Sequence, residues 1–560
     1  MTDVDPIQLE IIRNALVAAS EQMSVTIWRT SRSTVIREML DYSTAIFDAE
    51  GRNIAQATRI PVHLNSMATC LEDVLQGHVP LSEWHEGDVI VTNDPYCGGQ
   101  HLPDILAFRP VYVDGAVIAI VGALCHHIDV GGGAPGSYDP MATEIYQEGL
   151  RIQPLKLYDG GRRNEAVFGL ILNNSREREK LAGDLASQMA ALEIGAAELT
   201  RIARRYGVEP LRAATERIMD QSEHAMRAAL RAMPDGVYEF QDVVDDDGFS
   251  DRPLPIRVAL TIEGDRAVVD FTGSSPQARG SVNCTLNMSK SAVYFAVMSA
   301  AGGEFAANSG CYRPIDLIAP AGSVVNCRHP APVVNRMLTG HRIVNAVMGA
   351  MAQAVPDRIP AAYYGVSYVY SVGMQKSDGA SDVYLEIEVG GWGAHPDEDG
   401  ANAFSAGFHN LANSPLEMVE SSHAVTFSGY GLMPDSGGAG QTRGGLGLYR
   451  EFRLEAADGV LATSFERFRH PPYGLNGGHP ARVGRLTIRR NGQTREPGSK
   501  LSGLELRQGD VVRLETSGGG GFGDPKARPR AAVARDLADG YISERAACEV
   551  YGLEPGREST

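Results

Sequence analysis

The segment Gly98–Gly133, GGQHLPDILAFRPVYVDGAVIAIVGALCHHIDVGGG, carries the reading of the first half of the chain. Asp114-Gly115 lies between two apolar runs, DILAFRPVYV and AVIAIVGALC, and Asp-Gly is a strong hairpin signal because both residues tolerate the positive φ of a type I′ turn. With that turn Val113 faces Ala116, Asp104 falls opposite Cys125, and Pro103 falls opposite His126. The open end of the hairpin then gathers His101, Asp104, His126 and His127. Strict alternation would put Asp104 and His126 on opposite faces. Pro110 cannot donate to a regular ladder, so a bulge near Arg109 is expected, and one bulge restores the parity. A turn in HLPD lets His101 and Asp104 point the same way.

Two imidazoles and one carboxylate converging on a point suit Zn, Mn or Fe rather than the oxygen-seeking Ca or Mg. The plainer alternative is loop polarity at a hairpin mouth, and spacing alone leaves both open. His127 follows His126 on a strand and so faces the other way, which favours a supporting role. The flanking glycines, in CGGQ and DVGGGAPG, fit turns or close backbone approach to a ligand.

Before the hairpin, Pro6 opens a helix to about Arg29 whose expected buried stripe is Ile7, Ile11, Ala15, Ala19 and Met23. STAIFDAEGRNIAQA reads as strand, turn and strand, and LNSMATCLEDVLQGH as a short helix capped by Asn65 or Ser66. After the hairpin the pattern is helical from Arg163 to Tyr206, closing on Gly207, and again from about Pro210 to Met233. Beyond Pro234-Asp235-Gly236, IRVALTIEGDRAVVDFTG alternates with period two, and strands dominate apart from helices at Lys290–Ala301 and Gly340–Val355. The expected fold class is α+β (mixed α/β) and multi-domain. Its parts are a helix-rich N-terminal domain with mixed strands over 1–235, a β-rich mixed domain over 236–510, and a Gly-rich loop with docking helices over 511–560.

With 560 residues, 43% of them hydrophobic, the chain can bury a large core. The 51 basic residues against 69 acidic ones give a net charge of -18, which repels nucleic acid and anionic membrane surfaces. The longest apolar run, Ala116–Cys125, is too short to span a bilayer. Seven cysteines without a CxxC pair argue against a disulfide framework and a thiolate zinc site, and a reducing cytoplasm fits.

Four motifs, RIPVHLNSM, VTNDPYCGGQHLPDI, VVDFTGSSPQARGSVN and TSGGGGFGDP, follow one another along the chain. Through them the sequence resembles the hydantoinase B/5-oxoprolinase family from about Pro6 to the C-terminus. That family includes subunits of ATP-dependent hydantoinases and lactamases, part of 5-oxoprolinase, and alpha-type subunits of acetone and acetophenone carboxylases. The resemblance implies a divalent transition metal, Zn or Mn foremost and Fe as a third choice, held by His101, Asp104 and His126, with Asp41 of REMLDYSTAIFD as a fourth ligand or proton acceptor. It also implies roles near substrate for His63 and His127. His341, in TGHRIVNAVMGA, stands where relatives more often carry glutamine, a departure that bears on substrate class.

The same resemblance implies that ATP binds a hydantoinase A-type partner of actin-like fold in a hetero-oligomer, and this chain has no GxxxxGK[ST] loop of its own. The implied reaction is ring opening of a hydantoin, 5-oxoproline or another lactam after the partner phosphorylates the carbonyl oxygen. One alternative is an alpha-type subunit of a ketone carboxylase. Another is a scaffold whose metal is structural. A non-haem iron oxygenase would also use two histidines and a carboxylate, but the three-residue His-Asp offset and the whole-chain resemblance argue against it.

Overall fold

The computed structural model describes residues 4–303, 306–375 and 379–553, apart from the side chains of Leu64 and Asn65. Helix α1, Pro6–Thr30, begins with Pro6 in its first turn and the Asp5 carboxylate accepting the Gln8 N–H, a standard start. Its buried face is Leu9, Ile12, Leu16, Ala19, Met23 and Ile27. The expected stripe is therefore corrected in its first half: Ile7 is 71% exposed and Ile11 46%. A strict i+4 row drifts about 40° per step around a helix, whereas mixed three- and four-residue steps keep pace with 3.6 residues per turn.

After the single turn α2, Thr34–Arg37, come β1, Tyr42–Phe47, and β2, Asn53–Gln56. Helix α3 then spans Pro61–Asp73. It starts at Pro61, four or five residues before the expected cap at Asn65 or Ser66, because proline presets the first helical φ. Ser66 instead donates its hydroxyl to the His63 carbonyl at 2.8 Å, and the Asn65 side chain lies outside the described residues. Strands β3, Val89–Thr92, β4, Asp104–Val113, β5, Ala116–His126, β6, Leu155–Asp159, and β7, Arg162–Arg163, complete a seven-stranded sheet in the order β2-β1-β5-β4-β3-β6-β7. Every pairing in it is antiparallel.

The β4–β5 hairpin turns at Asp114 and Gly115, both at positive φ. The bulge is present but sits between Val111 and Tyr112, nearer the turn than Arg109, and skips Ile118 on β5. Helix α4, Glu165–Asn173, leads to α5, Arg178–Tyr206, and, across Gly207 at φ 92°, to α6, Val208–Arg231. Cys125, Ala123 and Ile105 belong to a core shared with α1 and α5, whereas Leu124, Leu106 and Phe108 belong to one shared with α3. Two cores on one sheet follow from the period-two alternation of β4 and β5.

The remainder is mixed, as expected. Strands β8, Gly236–Val244, β9, Leu254–Glu263, β10, Arg266–Asp270, and β11, Ile315–Ile318, form a four-stranded sheet. Helices α7, Leu286–Ala301, and α9, Arg336–Ala354, flank the short α8, Ser309–Tyr312. Two antiparallel sheets of four and five strands follow, and helices Arg530–Ala538 and Glu544–Glu549 close the described chain. The glycine loops stack backbone on backbone: a Cβ on Gly391 would sit 1.9 Å from the Gly445 carbonyl oxygen. The core of this half also takes in Val35, Met39, Ile60, Val62, Ile128 and Tyr138 from the first half, so segments of the first half beside the hairpin mouth are packed into the seam. All seven cysteines are free thiols, and among the described residues no helix is long and apolar enough to cross a membrane.

Candidate metal centre

The bulge places Asp104 directly opposite His126, so both project toward the α3 side of the sheet. In the HLPD turn the Asp104 N–H donates to the His101 carbonyl at 3.0 Å, bringing His101 Nε2 to 3.1 Å from Asp104 Oδ1. One donor atom from each of His101, Asp104 and His126 lies within 4.8 Å of the others. All three residues are buried. Both ring nitrogens of His101 and of His126, and Asp104 Oδ1, have no hydrogen-bond partner among the described residues. Five buried polar atoms left unpaired at one point would cost several kcal/mol, whereas a shared cation would use one from each residue. Burial holds the His101 imidazolium far below its ordinary pKa and lowers His126 to about 3. Both rings are therefore neutral, the form that offers a lone pair to a metal.

The second oxygen of Asp104 accepts an N–H from Arg336 NH2 at 3.0 Å. Arg336 is the first residue of α9, so the far half of the chain fixes the carboxylate and leaves its other oxygen facing the imidazoles. Such outer partners orient metal ligands. Asp41 comes just before β1, where its carbonyl accepts the His126 N–H at 3.1 Å. Its Oδ1 lies 3.5 Å from His63 Nε2, and the same nitrogen is 4.0 Å from Asp104 Oδ2. Asp41 and His63 thus adjoin the three donors as a pair. Burial, then the Asp104 charge, raises the Asp41 carboxyl well above its usual range, while Arg336 pulls it down. Burial lowers His63 to about 3.

His127 follows the end of β5 with the parity of Cys125, on the α5 side. Its N–H donates to the Pro103 carbonyl at 2.9 Å. Burial lowers its ring to about 4, with the Gln188 side chain of α5 acting the other way. His341 lies in α9, its Nδ1 2.8 Å from the Tyr363 hydroxyl and its Nε2 3.3 Å from Ser367 Oγ. Sequence reading passed over three residues at the centre. Tyr138 stacks on His126, ring centres 6.1 Å apart, and lies edge-on to His101 at 5.5 Å. Gln100 donates to Ser66 Oγ at 2.9 Å and lies 3.4 Å from Arg336 NH2. For Arg336 the sequence offered no signal, because the helix was expected to start at Gly340; only the observed start puts this cation at the first position, where it opposes the helix dipole and calls for a local anion.

The hydantoinase B/oxoprolinase family model matches residues 5–525. Caprolactamase subunit beta of Pseudomonas jessenii is 35% identical over 565 residues, spanning 99% of this chain and 97% of that protein. The crystal structure of ATP-dependent caprolactamase from Pseudomonas jessenii aligns with a TM-score of 0.93 at 33% identity, covering 100% of this chain and 98% of that one. A nucleotide-free structure of acetone carboxylase, 19% identical, shares the fold with a TM-score of 0.90 over 98% of this chain and 80% of that one. Matched over nearly its whole length, the chain belongs to the hydantoinase B/oxoprolinase family.

Proposed function

We propose that the chain is the B-type, cation-carrying subunit of an ATP-dependent enzyme that opens cyclic amides. The observation that carries this reading is the buried group of His101, Asp104 and His126 with unpartnered donors, in a chain aligned end to end with a caprolactamase subunit. Zn, Mn or Fe suits two imidazoles and a carboxylate. At that position His101, Asp104 and His126 would hold the cation, whose chemistry would be that of a Lewis acid able to lower the pKa of water toward neutrality.

The chain's own residues supply the rest. His101, Asp104 and His126 would be the holding side chains, Arg336 and Gln100 keep Asp104 and its neighbours in place, and burial excludes bulk water. Asp41 takes the proton that a nucleophilic water gives up, and His63, 3.5 Å from it, lies beside substrate. His127 supports the hairpin mouth from the α5 side. In the net reaction two waters are consumed: the ring carbon–nitrogen bond breaks as one supplies a hydroxyl to carbon and a proton to nitrogen, and the oxygen of the other ends on the γ-phosphoryl group of ATP, which leaves as inorganic phosphate with ADP. An unstrained amide resists water because resonance stabilises it, so coupling to ATP is chemically sensible. The ATP-consuming subunit is a separate hydantoinase A-type chain of actin-like fold in a hetero-oligomer, working in the cytoplasm. Caprolactamase subunit beta bears the name of one subunit among others.

The shared fold with acetone carboxylase favours a second reading, in which the same residues activate a ketone for carboxylation. Purified complex supplied with ATP and a panel of hydantoin, 5-oxoproline, ε-caprolactam and acetone with bicarbonate separates the two. Release of the ring-opened acid (an amino acid from a lactam, an N-carbamoyl amino acid from hydantoin) with one phosphate per ring is the expected result. Phosphate release that depends on ketone and bicarbonate would replace it with the carboxylase reading.

A further inference from the structure

Helix α1 is apolar on both faces. One face, from Leu9 to Ile27, is buried against the rest of the chain. The opposite face carries Ile7, Ile11, Val17, Val25 and Trp28, which are 71%, 46%, 40%, 37% and 44% exposed. At about 100° per residue these five fall within about 120° of the helix circumference. A helix that is hydrophobic all round is ordinarily buried all round, and a contiguous exposed apolar strip marks a contact surface.

The spacing along the strip says what kind of contact it makes. Ile7, Ile11, Asn14, Ala18, Glu21, Val25 and Trp28 follow one another at alternating steps of four and three, the heptad spacing of a seam that packs against another helix. All are exposed except Glu21, which is half-buried. Its carboxylate turns to its own chain and accepts the Thr58 N–H at 2.7 Å, so it leaves the seam. Trp28 is held by its indole N–H on the Arg37 carbonyl at 3.2 Å. Ala18, at the middle, is small enough for a second helix to come close. The two ends differ in charge: the exposed Asp5 and Glu10 lie at the start, and the exposed Arg29 and Arg32 at the finish.

A strip that is acidic at one end and basic at the other is complementary to itself, because a two-fold axis turns the start of one copy onto the finish of the other. We infer that the outer face of α1 is the contact between two copies of this chain, packed antiparallel and centred on Ala18. In that register Ile11 of each copy lies opposite Val25 of the other, Asn14 opposite Gln22, and Ile7 opposite Arg29. The Arg29 and Arg32 end of each strip thus meets the Asp5 and Glu10 end of its counterpart, and the two helix dipoles oppose favourably. A parallel pair would instead set Glu10 on Glu10 and Arg29 on Arg29. The net charge of -18 acts at long range, where physiological salt screens it beyond about 8 Å; the ends of the strip act at contact.

The test takes the purified full-length chain alone and reads its mass by sedimentation velocity over a dilution series. A dimer of twice the chain mass of 60.1 kDa is expected. I11E and V25K each set a charge against an apolar residue of the second copy, and each should weaken the dimer by about 100-fold or more. Both positions are exposed, so the melting temperature should change little. The double variant I11E/V25K sets opposite charges face to face in the antiparallel register and should recover the dimer, whereas in a parallel pair it sets like charges together. Ala18→Cys should cross-link the dimer on mild oxidation and Ile7→Cys should not, with the wild type as control because six of its seven cysteines are buried. A wild type that stays monomeric at every concentration, a dimer untouched by I11E and V25K, or one that the double variant fails to recover would overturn the inference. So would a chain that is monomeric alone and loses its ATPase subunit on I11E, which would assign the strip to that subunit.

Discussion

Among the described residues, two groups of three bring histidine and aspartate donor atoms within 4.8 Å of one another: His101, Asp104 and His126 at the hairpin mouth, and His85, Asp88 and Asp159 at the other end of the sheet. They differ in what neutralises the carboxylates. At the second place the Lys156 ammonium stands among the donors, 2.9 Å from Asp88, 3.1 Å from Asp159 and 3.3 Å from His85 Nδ1. Asp88 also accepts N–H groups from His85 and Gly160 at 2.8 and 2.7 Å. At the first, the Arg336 guanidinium meets one oxygen of Asp104, while the imidazoles and the other oxygen, close as they lie to one another, have no hydrogen-bond partner among the described residues. Spacing of donors is thus common to a finished ion cluster and to a group of donors without hydrogen bonds. The partners the chain itself supplies tell them apart. Glu148 shows a third solution: burial pushes its carboxyl up to about 8 against the pull of the Val334 and Val333 N–H groups, so a proton does the neutralising.

The largest effect should come from His126→Ala, which removes one of three donors. Ring-opening turnover by the complex should fall by about 10³-fold or more, with the denaturation midpoint in metal-free buffer little changed. Retained turnover would put the chemistry elsewhere. Arg336→Gln should weaken metal affinity by roughly 10–100-fold, read by competition with a chromophoric chelator. An unchanged affinity would remove Arg336 from the centre.

At the second place Lys156→Met should cost about 1–3 kcal/mol in urea unfolding, the cost of a buried acceptor losing its partner, and leave metal content alone. Metal gained or lost there would undo the contrast between the two groups. Glu148→Gln tests the proton solution. The Glu148 pKa rises from 4.5 to about 8 on folding, so between those values the native state binds the extra proton. Stability should fall as pH rises from about 4.5 to about 8 and level off above that. Melting temperature against pH should show a shallower decline over that window in Glu148→Gln. Parallel curves would mean that Glu148 is not the group responsible.

Much of this was legible because the decisive signals were local. Asp114-Gly115 fixes the turn, and Pro110 announces that the ladder is irregular. The parity argument therefore joins Asp104 to His126 even though the bulge lies two residues nearer the turn than Arg109. Gly207 marks a helix break for the same reason, a backbone need met by one residue type. The misses were of two kinds. Along α1, two apolar rows compete, and only packing against α5 decides which is buried. Arg336 and Tyr138 reach the centre from positions remote in sequence from the ligands they touch. No pattern of spacing reports a contact made by the fold, and with the helix expected from Gly340 the unfavourable dipole position of Arg336 was hidden as well.

The central claim is that the chain's own donors leave room for one cation at His101, Asp104 and His126. Elemental analysis of the purified wild-type chain beside His101→Ala and Asp104→Ala, each checked for folding by circular dichroism, tests it most directly. One transition metal per wild-type chain, absent from both folded variants, is the expected result. A wild type free of metal after growth with Zn, Mn and Fe, or variants that keep it, would contradict the claim.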